Sequence, residues 1–447
     1  MSHASYARPN PKIRPAAPGR LMLRPDGSPD DNDRVEIGPT ALTFEQWRAL
    51  GLQPPNLERL RTFRLQRLRA QLQANDYAGI LLFNPLNIRY ATDTTNMQLW
   101  VAHNPARACF VSADGYVILW DFHLCEHLSA HLPLIREVRT MPPLFFFGSG
   151  RSTQAQSARF AAEVDAVVRR HAGGNRRLAV DRIEWLAGKA LEAQGLTLFE
   201  GQAVTELARV VKGDEEIRAM RCAVAACDAA VAAVAQHIQP GVSENAVWAQ
   251  LHAENIRRGG EWIETRIMSS GPRTNPWFQE SGPRVMAAGD LVALDTDMVG
   301  PYGMCADISR TWLVGDGRAD AEQRQLFEVA FEHISRNKTL IRPGVGFGEL
   351  TRRCHRLPER YRAQRYSVMM HGVGQCDEFP SIYYPEDCID GAFDEFVLEP
   401  GMALCVEAYV GAVGGRQGVK LEEQVIVTET GCETLDRTPF DERLMAG

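Results

Sequence analysis

Asp290-Leu-Val-Ala-Leu-Asp295-Thr-Asp297-Met-Val-Gly300-Pro-Tyr302-Gly-Met304-Cys-Ala-Asp307-Ile-Ser-Arg-Thr-Trp-Leu-Val314 is the stretch that decides the fold of this 447-residue chain. Two apolar runs flank Gly300-Pro301-Tyr302-Gly303, a turn sequence, so the stretch predicts a β-hairpin. Side chains alternate along a strand, which sends Asp295 and Asp297 to one face. With the hairpin centred on Tyr302, Asp297 and Asp307 stand opposite each other across the ladder. Like charges in that arrangement destabilise a sheet unless a cation neutralises them. The hairpin therefore predicts a metal site.

A second hairpin repeats the pattern. Ala403-Leu-Cys-Val-Glu407-Ala-Tyr-Val410 and Val419-Lys-Leu-Glu422-Glu-Gln-Val-Ile-Val-Thr428 flank Gly414-Gly415, which reads as a two-residue turn. Counting outward from that turn pairs Glu407 with Glu422. Between the hairpins stands His371-Gly372-Val373-Gly374, an imidazole in surroundings that permit close approach. Asp295, Asp297, Asp307, Glu407 and Glu422 with His371 form a hard-oxygen site with room for two divalent cations. This ligand set suits Fe, Mn, Co and Zn alike.

Outward from these hairpins, Ile238-Gln-Pro240-Gly-Val242 is echoed by Ile341-Arg-Pro343-Gly-Val345, each closing one predicted helix and preceding another. The echo predicts an α+β domain of two similar halves related by a pseudo-twofold, beginning near residue 206 and running to 447. Residues 56–205 predict a smaller helix-and-strand domain. It has an amphipathic helix over 57–72, strands at 80–83, 108–111 and 116–120, a helix around 155–170 and a strand at 178–180. Residues 1–55 hold nine of the 25 prolines, which interrupt any period, and read as an extension rather than a domain.

Apolar residues at 45% and charged residues at 23% are ordinary for a globular protein, and the net charge of −7 without a Lys/Arg block argues against nucleic-acid binding. No apolar run reaches the ~18 residues that a membrane span needs, and the polar N-terminus lacks a signal-peptide core, so a cytoplasmic enzyme is expected. Ten cysteines without a C-x-x-C pair predict reduced thiols, none of them assigned as a ligand. His123-Leu-Cys-Glu-His127 lacks the Glu that a helical zinc motif places after its first His, and reads as surface histidines.

Asp295-Thr-Asp297, Asp307, His371-Gly-Val-Gly, Glu407 and Glu422-Glu423 together resemble the dinuclear-metal signature of the pita-bread metallopeptidases, the family of prolidase, Xaa-Pro aminopeptidase, methionine aminopeptidase and the creatinases. Lys212-Gly-Asp-Glu-Glu-Ile-Arg-Ala-Met-Arg221 is similar to a helix start in prolidase-like members. The resemblance covers roughly residues 56–435 and implies a creatinase-like N-terminal domain, a pita-bread catalytic domain and a homodimer. Two departures stand out. The peptidases run His-Gly-x-Gly-x-x-x-His-Glu-x-Pro, whereas this chain has His371-Gly-Val-Gly-Gln-Cys-Asp377-Glu-Phe-Pro380, one residue shorter, with Asp377 in the second His slot. A further peptidase His slot, after Ser270-Gly271-Pro272, holds Trp277.

Loss of both imidazoles with every metal ligand retained argues against peptide hydrolysis. The substitution pattern, the proline-rich extension and Tyr366 resemble the dimethylsulfoniopropionate lyases of the same fold. That resemblance implies β-elimination from a small sulfonium carboxylate and leans towards iron in the two metal positions. Asp377 is then the base, and Trp277, Tyr366 and one of Tyr383 and Tyr384 offer aromatic faces to the sulfonium, Tyr366 also handling protons. The alternative is an Xaa-Pro dipeptidase or aminopeptidase working through a metal-bridging hydroxide.

Overall fold

The computed structural model describes residues 37–389 and 391–445, so expectations for most of the proline-rich extension lie outside the described residues. Two compact units are present, Asn56–Arg209 and Gly38–Pro55 together with the chain from Val210 onward.

The first unit is built on one six-stranded sheet: β1 (Gly79–Leu82), β2 (Ala108–Ser112), β3 (Val117–Asp121), β4 (Ile135–Thr140), β5 (Arg177–Val180) and β6 (Thr197–Glu200), in the order β4-β3-β2-β1-β5-β6. β1, β2 and β3 are buried along their whole length because helices cover both faces. Leu65, Leu68 and Leu72 of helix Leu57–Ala74 pack on one face, and Phe160, Val164 and Val168 of helix Thr153–Ala172 on the other. Continuous apolar strands of this kind mark sheets covered on both sides. The expected elements stand within about two residues of their predicted places. β4 and β6 are edge strands, half-exposed and without an apolar run, and they escape a reading based on hydrophobic pattern.

The second unit repeats one motif. Helices Asp214–His237 and Glu244–Arg257 precede β7 (Trp262–Ile263), β8 (Met268–Ser270), β9 (Leu291–Asp295), β10 (Met298–Val299), β11 (Cys305–Ala306) and β12 (Ser309–Leu313). Helices Ala321–Lys338 and Phe347–Arg353 precede β13 (Val368–Val373), β14 (Asp377–Tyr383), β15 (Ala403–Val410), β16 (Val419–Val427) and β17 (Cys432–Thr434). Both Pro-Gly turns place their glycine in the left-handed region, Gly241 at φ 89° and Gly344 at φ 82°. Equivalent hydrogen bonds follow. Gly241 N donates to Met286 O and Met286 N to Val242 O; Gly344 N donates to Leu398 O and Leu398 N to Val345 O.

Residues 41–49 form a helix of this unit. Its Trp47 is buried, donates Nε1–H to Cys222 O at 2.9 Å and stacks on Tyr302 at the tip of the first hairpin, 5.7 Å between centroids. The second hairpin keeps the expected register, Glu407 opposite Glu422, but its turn is not two residues long. The ladder closes at Val410–Val419 and leaves the loop 411–418. Tyr409 is the cause: its hydroxyl donates into the segment at Thr274 and Asn275, and lies where a Cβ on Gly411 or Gly418 would stand.

Candidate metal centre

Three sheets bring the carboxylates together. Both ladders of the first hairpin keep the register centred on Tyr302, Met298 facing Ala306 and Asp295 facing Ser309. Strand alternation does not place Asp297, however. β9 ends at Asp295, and Asp297 turns into the left-handed region at φ 35°. Thr296 Oγ1 fills the gap in the ladder, donating to Ala306 O and accepting from Ile308 N, each at 2.9 Å. Through this kink, carboxylate oxygens of Asp295, Asp297 and Asp307 all come within 4.8 Å of one another.

The two hairpins meet where β12 runs beside β16. Thr311 Oγ1 donates to Lys420 O at 2.8 Å, and Arg310 donates to Glu422 O at 2.6 Å. Asp307, His371, Cys405 and Glu422 form a second group with ligand atoms within 4.8 Å. His371 lies in the middle of β13, between Ser381 and Cys405 on the neighbouring strands. Its Nδ1 is 3.1 Å from Gly372 O, so the hydrogen-bond network assigns a proton there, and its Nε2 faces Glu422, Asp307 and Glu407 at 3.3–3.5 Å. Burial opposes the charge, but Asp377, Glu422 and Glu407 hold the imidazole well above its usual pKa, and a cation bound at Nε2 would displace that proton. A Cβ on Gly372 would strike the Phe379 carbonyl and one on Gly374 the Glu378 carboxylate, which accounts for both glycines beside the imidazole.

A residue outside the sequence-based set sits at the centre. Lys420 is 0% exposed, with Nζ 2.8 Å from Glu422, 2.9 Å from Glu407, 3.3 Å from Asp295 and 2.8 Å from Ser309 Oγ. It precedes Glu422 by two positions on β16 and so shares its face, a signal that alternation contains. Ser309 Oγ lies 2.6 Å from Asp295 and 2.8 Å from Glu422, and Thr265 donates to Asp297. Cys405 stands on the same face as Glu407, but burial and the neighbouring acids push its thiol far above the usual range and keep it protonated.

One ammonium and one imidazolium do not balance five acids. Burial and mutual repulsion raise Asp295 to about 6 and Glu407 to about 8, and hold Asp297 and Asp307 well above the carboxylate range. Glu422 alone is lowered: Lys420 and His371 outweigh its loss of hydration. Asp307 Oδ1 and both Glu407 oxygens are buried without a well-formed hydrogen bond, although Lys420 Nζ stands near one of them. Buried acceptors in this state are suited to a cation. The donor set of carboxylates with one imidazole nitrogen, neutral once a cation takes the place of its proton, fits divalent cations.

Asp377 opens β14 opposite Val373, its Oδ1 3.7 Å from His371 Nδ1. Its side chain is 54% exposed, whereas Asp295, Asp297, Asp307, Glu407 and Glu422 are all buried. Restricted hydration and Glu422 raise its pKa against the opposing pull of His371 and Lys420. Lys212 and Glu378, both buried, form an ion pair behind it. Tyr366 is half-buried, with Lys420 Nζ 4.7 Å from its ring centroid and Phe278 stacked on it at 5.2 Å. Trp277 is 6% exposed and stacks on Tyr409 at 5.8 Å, so its ring is largely taken up by packing. Tyr384 lies 3.0 Å from His333 through its hydroxyl, and Tyr383 stacks on Phe393. His123 is exposed, and His127 lies in the 3₁₀ turn Glu126–Leu128 rather than on an α-helix shared with it.

This acid-lined centre on a two-halved α+β unit defines a metal-binding enzyme of the metallopeptidase class. Residues 218–429 match Metallopeptidase family M24 and residues 64–223 the Creatinase/Prolidase N-terminal domain. Within that class the chain belongs to the dimethylsulfoniopropionate lyase DddP family. It is 51% identical over 439 residues to Dimethylsulfoniopropionate lyase DddP of Roseovarius nubinhibens, covering 97% of this chain and 98% of that one. It is 49% identical over 433 residues to the protein of the same name from Roseobacter denitrificans, covering 96% and 97%. The Xaa-Pro dipeptidase structure from Bacillus anthracis shares the fold at a TM-score of 0.67 and 24% identity, covering 85% of this chain and 99% of that one.

Proposed function

We propose that this chain is a metal-dependent carbon–sulfur lyase that splits dimethylsulfoniopropionate into dimethyl sulfide and acrylate. The observation that carries the reading is Asp377, the exposed carboxylate beside an otherwise buried acid centre, in a position where the sequence departs from the peptidases. A carboxylate with a raised pKa is a stronger base. Asp377 removes a proton from the carbon next to the substrate carboxylate. The electron pair of that C–H bond becomes the C=C bond of acrylate, and the C–S pair leaves with sulfur, so the sulfonium departs as neutral dimethyl sulfide. Two divalent ions held by Asp295, Asp297, Asp307, His371, Glu407 and Glu422 would supply Lewis-acid stabilisation of the charge that develops on the substrate carboxylate. Ser309 and Thr265 orient the acids, and His371 is held by its Nδ1–H···O=C bond.

Iron is the metal we propose, on the resemblance to the lyases; elemental analysis of protein prepared without added metal tests it. Catalysis is assigned to the pita-bread domain, residues 206–447, with residues 56–205 as a creatinase-like domain. Ten free cysteines support a reducing, cytoplasmic setting. Exposed Phe146 and Phe147 in the first unit support a homodimer, which light scattering tests. The deciding experiment incubates metal-loaded protein with the sulfonium substrate and, separately, with an Xaa-Pro dipeptide. Headspace sulfide supports the lyase. Amine release without sulfide overturns it.

A further inference from the structure

Three aromatic rings stand near the acid centre, and they are not equally able to receive a cation. Trp277 is packed on Tyr409, and Lys420 Nζ already lies 5.8 Å from its ring. Tyr366 carries the same ammonium at 4.7 Å. A sulfonium brought to either ring would compete with an ammonium that the ring already faces. Phe278 differs. Among the described residues no Lys or Arg lies over it, and Tyr366, stacked on it at 5.2 Å, is the ring that meets Lys420 at 4.7 Å.

Phe278 is 58% exposed and adopts φ 68°, a left-handed conformation that is unfavourable for a bulky side chain. An apolar ring held in a strained backbone towards solvent gains nothing from core packing. Its segment is nevertheless firmly anchored. Asn275 donates to Ala412 O at 2.8 Å and Gly415 O at 2.9 Å, and accepts from Tyr409 and from Gln364, two residues before Tyr366.

Resting on the lyase reading, we infer that Phe278 is the sulfonium-binding face of the site, its ring receiving the dimethylsulfonium head while Tyr366 separates that head from Lys420. The contact is between a cation and a π-face, so it discriminates charge as well as shape.

The test uses the metal-loaded full chain, with Phe278→Leu to remove the π-face at similar bulk and Phe278→Trp to strengthen it. KM is measured for dimethylsulfoniopropionate, and the inhibition constant for 4-methylpentanoate, its carbon isostere, which keeps the carboxylate and lacks the sulfonium charge. We expect Phe278→Leu to raise KM about 3- to 30-fold, with the isostere changing less than about twofold, and Phe278→Trp to keep or lower KM. An unchanged KM in Phe278→Leu overturns the inference, and so does equal weakening of substrate and isostere, which makes Phe278 only an apolar wall. If the unaltered protein releases no sulfide, the lyase reading itself falls; sulfide release with an indifferent Phe278 sinks this inference alone. Thermal unfolding of both variants near that of the parent shows that the fold is intact.

Discussion

Replacing Lys420 by Met should destabilise the metal-free protein far more than the metal-loaded one. At an effective dielectric of about 20, unit charges 2.8–3.3 Å apart attract by about 5–6 kcal/mol, which counts in full for Glu422 and only in part for Asp295 and Glu407, whose pKa values are raised. Burying the ammonium offsets much of this, and removing one partner of such a buried set costs about 3–5 kcal/mol. For a unit of this size that is ~6–20 °C in melting temperature. Bound dications reverse the balance, because Lys420 then repels them. Its removal should weaken the loaded form less and tighten metal binding, as linkage requires. Differential scanning fluorimetry with chelator and with excess Fe(II) or Mn(II), beside a metal titration, reads both effects. An apo melting temperature within about 2 °C of the parent, or an equal loss in the loaded form, would refute this account of the charge balance.

Asp377→Asn should lower kcat about 10²- to 10⁴-fold with metal content unchanged by elemental analysis; loss of metal would mean that Asp377 is a ligand. Chelation should abolish sulfide release and Fe(II) restore it, and a chelated protein that keeps full activity would contradict the acid centre's role. His333 bears on acid stability: burial first, then His355, pushes it down to about 3 from 6.5. The unfolded chain therefore takes up this proton first as pH falls, so stability is full above about pH 6.5 and is lost towards pH 3 by up to ~1.4 kcal/mol per pH unit. Urea unfolding of His333→Gln should show a shallower pH slope than the parent by that amount, and equal slopes would dismiss the effect.

What the sequence discloses is what local rules control. Glu407 and Glu422 are found by counting from a glycine pair, because register survives even where the turn opens into the loop 411–418. Asp297 reaches the same neighbours by a left-handed kink that no alternation rule contains. Lys420 is legible by strand face, but its meaning comes from β12 lying beside β16, a contact between segments more than a hundred residues apart in sequence. The exposure of Phe278 and the packing of Trp277 are tertiary facts. Their adjacent places in the chain carry no hint of which ring faces solvent.

The two replaced imidazoles gain an electrostatic reason from this geometry. With two dications bound and His371 neutral, the five buried carboxylates and the Lys420 ammonium would come to neutrality, so the loaded centre itself would not draw in a further cation. A protonated imidazole at position 277 or 377 would repel a sulfonium on approach. An indole and a carboxylate do not, and the carboxylate attracts it. On the proposed mechanism the same carboxylate takes the proton whose removal expels the sulfide. Once the C–S bond breaks the leaving group has no charge, and its attraction to both Asp377 and the Phe278 ring is lost in that step. In this proposal, entry of a cation and release of a neutral product depend on the same two side chains.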